Sequence, residues 1–326
     1  MTAERSRLER LMKHLDEETA KAFLAYVAAM KAPTMIREIE RLITTGQIEE
    51  AILIVDSHLR KFASVIPRNY TRVANSTTDS LQRISPRIAI SFNPANPRAA
   101  AQMERQSLAL ISRIRDDQRL SIRNALTEAL QEGAGPRQAA RAYRDAIGLT
   151  DDQRRAVRRY RTLLEQGSVE ALSRGLADRR YAPRSDSLSA RRDYVESLSI
   201  AEIDRMVEAY ERRYIKYRAE VIARTETTRT LNEANAEAFE QTMEQAGIDD
   251  QLVERTWQST RDSRTRDSHK HMQVRVVRGM AARYVTGLGN SAMRPGDPDL
   301  PAEDVIQCRC VETIRILTRD EVENGA

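Results

Sequence analysis

"SIAEIDRMVEAYERRYIKYRAEV", residues 199–221, places Ile203, Val207, Tyr210, Tyr214, Tyr217 and Val221 at alternating spacings of four and three. An α-helix brings such positions onto one line, so the stretch predicts a helix with an apolar seam for packing against another helix. Ser199 and Glu202 are the residue types of a capping box, which fixes the start. No glycine or proline intervenes before Gly247, and a long helix is expected over 199–246.

Beyond Gly247 the period changes. "LVERTWQST" (252–260), "QVRVVRG" (273–279), "ARYVTG" (282–287) and "CRCVETIRI" (308–316) are short, β-branched and separated by Gly, Asp and Pro. They predict a small α+β module over 247–318, followed by a tail, 319–326. In the last run Cys308, Cys310, Ile314 and Ile316 share one face at period two, with Glu312 the exception.

Upstream the helical period dominates. Leu8, Leu11, Met12 and Leu15, then Ile36, Ile39, Leu42 and Ile43, then Ile52, Leu53, Val55, Leu59 and Phe62 give three helices before Pro67, with breaks at "KAPT" and "TTGQ". A fourth helix over 70–84 completes an amino-terminal helical domain, 1–85. Pro86, Pro94 and Pro97 remove backbone donors and place a hinge at 86–97. Helices over 98–114, 116–131 and 136–146 follow in a second helical domain, 98–180. Within it "GLTDDQ" supplies Gly148 to end one helix and Thr150 with Gln153 to cap the basic helix 151–165. The stretch 181–198 lacks a steady apolar period and reads as an exposed linker. The fold class is mainly α: an elongated multi-helix body with a small α+β carboxyl-terminal module.

Composition agrees, since 31% of residues are charged and only 5% aromatic, a balance that suits helices with one wet face. Of 53 basic residues only six are lysine, leaving 47 arginines, whose planar forks match phosphate and carboxylate. The amino terminus carries charges throughout, and no stretch approaches the roughly 18 apolar residues of a membrane span, so no membrane association is expected. Two cysteines one residue apart exclude a disulfide framework.

Three groups of residues could carry chemistry. In the basic helix Arg154, Arg155, Arg158, Arg159 and Arg161 cover one broad face, which fits a DNA backbone or an acidic partner, or acids elsewhere in the fold. Arg224 and Glu226, two apart on the long helix, face different ways and serve separate contacts. Asp262, Arg264 and His269 are an acid, a cation and a titratable base, and they are also the ingredients of a self-bonded turn. No cofactor is expected; zinc is the alternative, with His269, His271, Cys308 and Cys310 as four donors, although Cys-x-Cys is tighter than usual ligand spacing.

In order and spacing, "IARTE", "W…DSRTRDSH…M" and "PGDPDLPAEDVIQCRC" resemble the carboxyl-terminal module of tailed-phage minor head proteins, the Mu F-like head morphogenesis family, over roughly residues 200–316. "GLTDDQRRAVRRYRTLLE" is similar to a helical part found upstream in some phage members. The motif positions are Arg224, Glu226, Trp257, Asp262, Arg264, His269, Cys308 and Cys310. The resemblance implies a non-enzymatic virion component, present in few copies in the capsid interior or at the portal vertex, made in the host cytoplasm. It would act in head assembly and DNA packaging or delivery, with the portal or major capsid protein, and phage DNA, as partners. Many relatives hold Cys-x-x-Cys where this chain has Arg266 and His269, so the zinc site lacks at least one thiol here, and a hydrogen-bonded turn could replace it. The competing reading is a metal-dependent nuclease or injected effector using Asp262, Arg264 and His269.

Overall fold

In the computed structural model, which describes residues 3–84, 90–183, 187–260, 262–318 and 320–321, the amino-terminal helical pattern folds as α1 (Ala3–Met30), α2 (Pro33–Thr44), α3 (Ile48–Ala63) and α4 (Val65–Ile84). Pro67 lies in the first turn of α4, where the N–H it lacks would have no intrahelical partner, so this helix begins before the proline. Then come α5 (Pro97–Gln131), α6 (Pro136–Ala146), α7 (Asp151–Glu165), α8 (Leu188–Glu196) and α9 (Ile200–Ala246). The two helices expected over 98–114 and 116–131 are one, α5, because nothing between them removes a donor or requires a positive φ.

Both capping boxes form. Thr150 Oγ1 accepts from the Gln153 N–H at 3.3 Å while Gln153 Oε1 accepts from the Thr150 N–H at 3.1 Å, and Ser199 and Glu202 repeat the exchange at the head of α9. The 181–198 stretch contains α8, capped by Ser187 and burying only Val195, too little apolar surface to leave a period. Residues 184–186 lie outside the described residues, as do 85–89 of the proline-rich stretch, and 319 and 322–326 of the tail. The described part of the expected hinge is tied to α9: Gln241 donates to Asn93 O and accepts from its N–H, and Gln245 does the same at Ser91.

After α9 come β1 (Val253–Gln258), α10 (Asp267–Lys270), β2 (Arg275–Arg278), β3 (Tyr284–Val285), β4 (Ser291–Ala292), α11 (Ala302–Val305) and β5 (Val311–Ile316). One antiparallel sheet has the order β2-β1-β5, with Trp257 opposite both Arg275 and Glu312; β3 and β4 pair separately. Along β1 the core face carries Val253, Arg255 and Trp257, so a fully buried arginine stands where alternation expects an apolar side chain.

The chain forms two compact units. The first comprises 1–22, 63–110 and 220–326; the second comprises 23–62 and 111–219. In the first, Leu8, Met12 and Leu15 of α1 meet Tyr70 and Val73 of α4, Leu231, Ala234 and Ala238 of α9, and Val311 of β5. In the second, the seam of α9 buries Ile203, Val207 and Tyr210 against α7, with Tyr160 stacked on Tyr210 at 4.2 Å. Tyr217, further along the seam, is half exposed.

The first turn of α1 also reaches the sheet, where Glu4 Oε1 accepts from the Ile314 N–H of β5 at 3.4 Å. Burial pushes the Glu4 carboxyl up to about 7, against the pull of that N–H and of Arg7. A folded-state value above the ordinary 4.5 makes this group's contribution full below about pH 4.5 and lost as pH rises through 7. Glu4→Gln should flatten the fall in denaturant midpoint between about pH 5 and pH 8; an unchanged slope would exclude Glu4 as its source.

Candidate functional site

Two segments far apart in sequence close over each other. Past β1 the chain turns at Asp262, whose carboxylate accepts from the Arg264 N–H at 3.0 Å and the Thr265 hydroxyl at 3.1 Å. Arg309 grips the same carboxylate with both Nη atoms and holds it well below the usual carboxylate range. The Thr260 hydroxyl donates to Arg309 O at 3.0 Å, and the Arg266 guanidinium donates to Glu303 O and Ile306 O. Arg264 itself is 76% exposed, 3.8 Å from Asp262. The sequence triple is therefore split: Asp262 is engaged by Arg309, Arg264 points to solvent, and His269 is 2% exposed.

His269, on α10, faces the thiols. Its Nδ1 lies 3.6 Å from Cys308 Sγ and 3.4 Å from Cys310 Sγ, and the three donor atoms lie within 4.8 Å of one another. Behind it, Nε2 is 3.4 Å from Oδ1 of the fully buried Asp304. Burial alone would raise Asp304, but hydrogen bonds from Asn290, Thr286 and Ser268 outweigh it and keep the carboxylate ionised. A carboxylate beside Nε2 favours the proton there and leaves the Nδ1 lone pair toward the sulfurs. The hydrogen bond from Cys310 holds the Cys308 thiol well below its ordinary value, while Cys310 is pushed up by the same bond and by burial. The edges of the Trp257 and Tyr284 rings close the apolar side, and Trp257 lies 5.4 Å from both His269 and Tyr284.

These donors fit a zinc ion in part. Zn–N of about 2.0 Å and Zn–S of about 2.3 Å at tetrahedral angles separate N from S by roughly 3.5 Å, and the two observed separations bracket that value. His271 is not the fourth donor: it is exposed, with Nδ1 against Asp267 O at 2.8 Å. Neighbours two apart on a helix point apart, so α10 cannot aim both imidazoles at one ion. Among the described residues the cluster of donors is His269, Cys308 and Cys310.

The polar face of α9 holds the terminal strand in place. Thr228 donates to Cys308 O, Asn232 donates to Pro295 O and Cys310 O and accepts from the Glu312 N–H, and Thr225 accepts from the Gln307 N–H. Arg224 pairs with Asp16 of α1 at 2.6 Å, whereas Glu226 faces Arg229, which donates to Gly296 O. Gly296 has φ +83° and rests on the Arg229 backbone, where an added Cβ would come within 3.1 Å.

Residues 168–313 match the family model described as Phage Mu protein F like protein. This part of the chain is similar to Mu F-like proteins, and the carboxyl-terminal unit is called the Mu F-like module below. No curated protein and no solved structure matches the chain.

Several residues that hold the Mu F-like module together carried little sequence signal. Arg255 and Glu312, both fully buried, pair at 3.1 Å; Arg294 lies 3.7 Å from Glu312 and also pairs with Glu233. Asp304 and Arg309 are two more. The only available hint was charge on an otherwise apolar strand face, at Arg255 and Glu312.

Gly287 shows how little slack surrounds the site. A Cβ there would fall 2.8 Å from the Ser268 Cα and carbonyl oxygen, one residue before His269. Gly287→Ala should destabilise the module by about 1–3 kcal/mol, read by chemical denaturation, since backbone must move; a variant as stable as the parent would mean that this contact yields freely.

The arginine face of α7 is matched by acids. Arg154 is buried and bridges Asp151 and Glu128; Arg155 pairs with Asp151 and Asp152, Arg158 with Glu128 and Glu132, Arg159 with Glu170, and Arg161 with Glu165 and Asp204. Every one of the five thus has a carboxylate partner within its own unit. No helix among the described residues is long and apolar enough to cross a membrane.

Proposed function

We propose that this chain is a minor head protein acting at or near the portal vertex, in few copies per virion, in head assembly and DNA packaging or delivery. The portal and/or major capsid protein are its partners, and the closed Mu F-like module is its docking piece. The observation that carries this reading is that the motif residues are spent on one another: Asp262 on Arg309, Arg266 on Glu303 and Ile306, His269 on the thiols. The cavity beside them is about 20 Å³, room for one water and not for a nucleotide. That size, with His269 buried, weighs against a nuclease or effector. The acid-paired face of α7 favours protein contacts over phage DNA.

The donor geometry supports a zinc ion on His269, Cys308 and Cys310 as part of the knot. Bound there, zinc would supply a cross-link between α10 and the approach to β5. Purified full-length protein should carry about one zinc per chain by elemental analysis.

The deciding experiment deletes the coding region from its phage. Heads should form in reduced number or with little DNA, and antibodies to the chain should label normal particles at the neck. Particles of normal number, DNA content and infectivity without the chain would overturn the proposal.

A further inference from the structure

The cavity at the cluster is lined by Thr260, Arg264, Thr265, Arg266, Gln307 and Arg309 as well as by the three donors. A tetrahedral ion has four positions, and the chain fills three, two from the approach to β5 and one from α10. The side of the donors that opens to this cavity is where the fourth ligand has to lie. About 20 Å³ of space adjoins the donors on that side, of the order of the 10–15 Å³ or so that one water needs. Arg266 does not fill the position, since its guanidinium is turned to Glu303 O and Ile306 O and, being a cation, cannot ligate.

The charges around the cavity choose the visitor. Arg309 is neutralised by Asp262, and Arg264 stands 3.8 Å from the same carboxylate, so the two arginines share one negative charge. Arg266 is bonded to carbonyls, which satisfy its donors without cancelling its charge. A zinc ion with two thiolates and a neutral imidazole adds no net charge. The cavity is thus positive, and Asp304 lies against Nε2, the ring nitrogen turned away from the thiols.

We propose that a divalent metal held by His269, Cys308 and Cys310 keeps its fourth coordination position open to this arginine-lined cavity, where it takes water or one small anion. This rests on the zinc reading above and adds that the site is exchangeable, unlike a closed four-ligand knuckle.

Cobalt(II) is the probe, because its absorption reports both thiolate ligation and coordination number. Full-length protein should bind about one equivalent with thiolate charge-transfer bands, and adding azide should shift the d–d bands in a saturable way. Arg266→Cys places a thiol three residues before His269 on the cavity wall, and should abolish the azide response while keeping the charge-transfer bands. Cobalt bound but blind to azide in the wild-type chain would overturn the open position and leave the zinc reading standing. No cobalt or zinc binding at all would overturn both. The wild-type titration decides the matter even if the cysteine variant fails to fold.

Discussion

Arg255→Ala should cost the Mu F-like module about 3–5 kcal/mol, the range for removing one partner of a buried ion pair. Arg255 is fully buried on β1, and its guanidinium donates to Gly279 O at 3.0 Å, Met293 O at 2.8 Å, Ala282 O, and Glu312 Oε1 at 3.1 Å. It also lies over the Tyr284 ring at 5.5 Å. Truncation leaves three loop carbonyls short of a donor and takes from Glu312 its nearest cation. Burial already raises the Glu312 carboxyl despite Arg255 and Arg294, so losing Arg255 pushes it further toward protonation, which caps the damage. Arg255→Lys keeps the charge but not the fork and should fall between alanine and the parent. Urea denaturation followed by Trp257 fluorescence gives the numbers, and an alanine variant within about 1 kcal/mol of the parent would show that the loops find other donors.

The same residue marks the limit of what the sequence could say. Local devices were legible: the capping box at Thr150 and Gln153 and the seam at Ile203, Val207 and Tyr210 each depend on residues a few positions apart. So was the change to period two after Gly247, which gives β1 and β5. Arg255 was not, because alternation alone cannot tell that the charge at 312 lies across the sheet. Glu128, which neutralises Arg154 and Arg158, sits a whole helix away in sequence, so the α7 face looked unpaired. Arg266 looked like a missing ligand, and its structural use as a clip onto two carbonyls depends on the shape of a loop near residue 303. His271 fails as a partner of His269 on local geometry alone, since residues 267–270 form a helical turn.

Within the module those partners share one feature: each joins two segments that are distant in sequence. Asp304 backs His269, Asn232 holds the strand that bears the thiols, and Arg309 fixes the turn at Asp262. The chemistry of such a module need not be reactive to demand particular residue types. Buried polar groups without partners cost about 1–3 kcal/mol each, so a knot this polar tolerates few exchanges.

Trp257 is where packing and the cluster meet, and Trp257→Ala should remove about 3–5 kcal/mol. Its side chain is fully buried, with His269 and Tyr284 both edge-on at 5.4 Å and Cys308, Cys310, Met272 and Val305 in the same apolar cluster. The cavity left by an indole cannot collapse, because α9 pins β5 through Asn232 and Arg309 pins the loop through Asp262. Trp257→Phe keeps an aromatic edge against His269 and should lose less than half as much. The pair of variants separates volume from orientation: if zinc or cobalt affinity falls only in the alanine variant, the ring acts by holding His269 toward the thiols. If alanine is tolerated with a loss under about 1 kcal/mol, Trp257 is not the floor of the site and the tight core inferred around it is wrong.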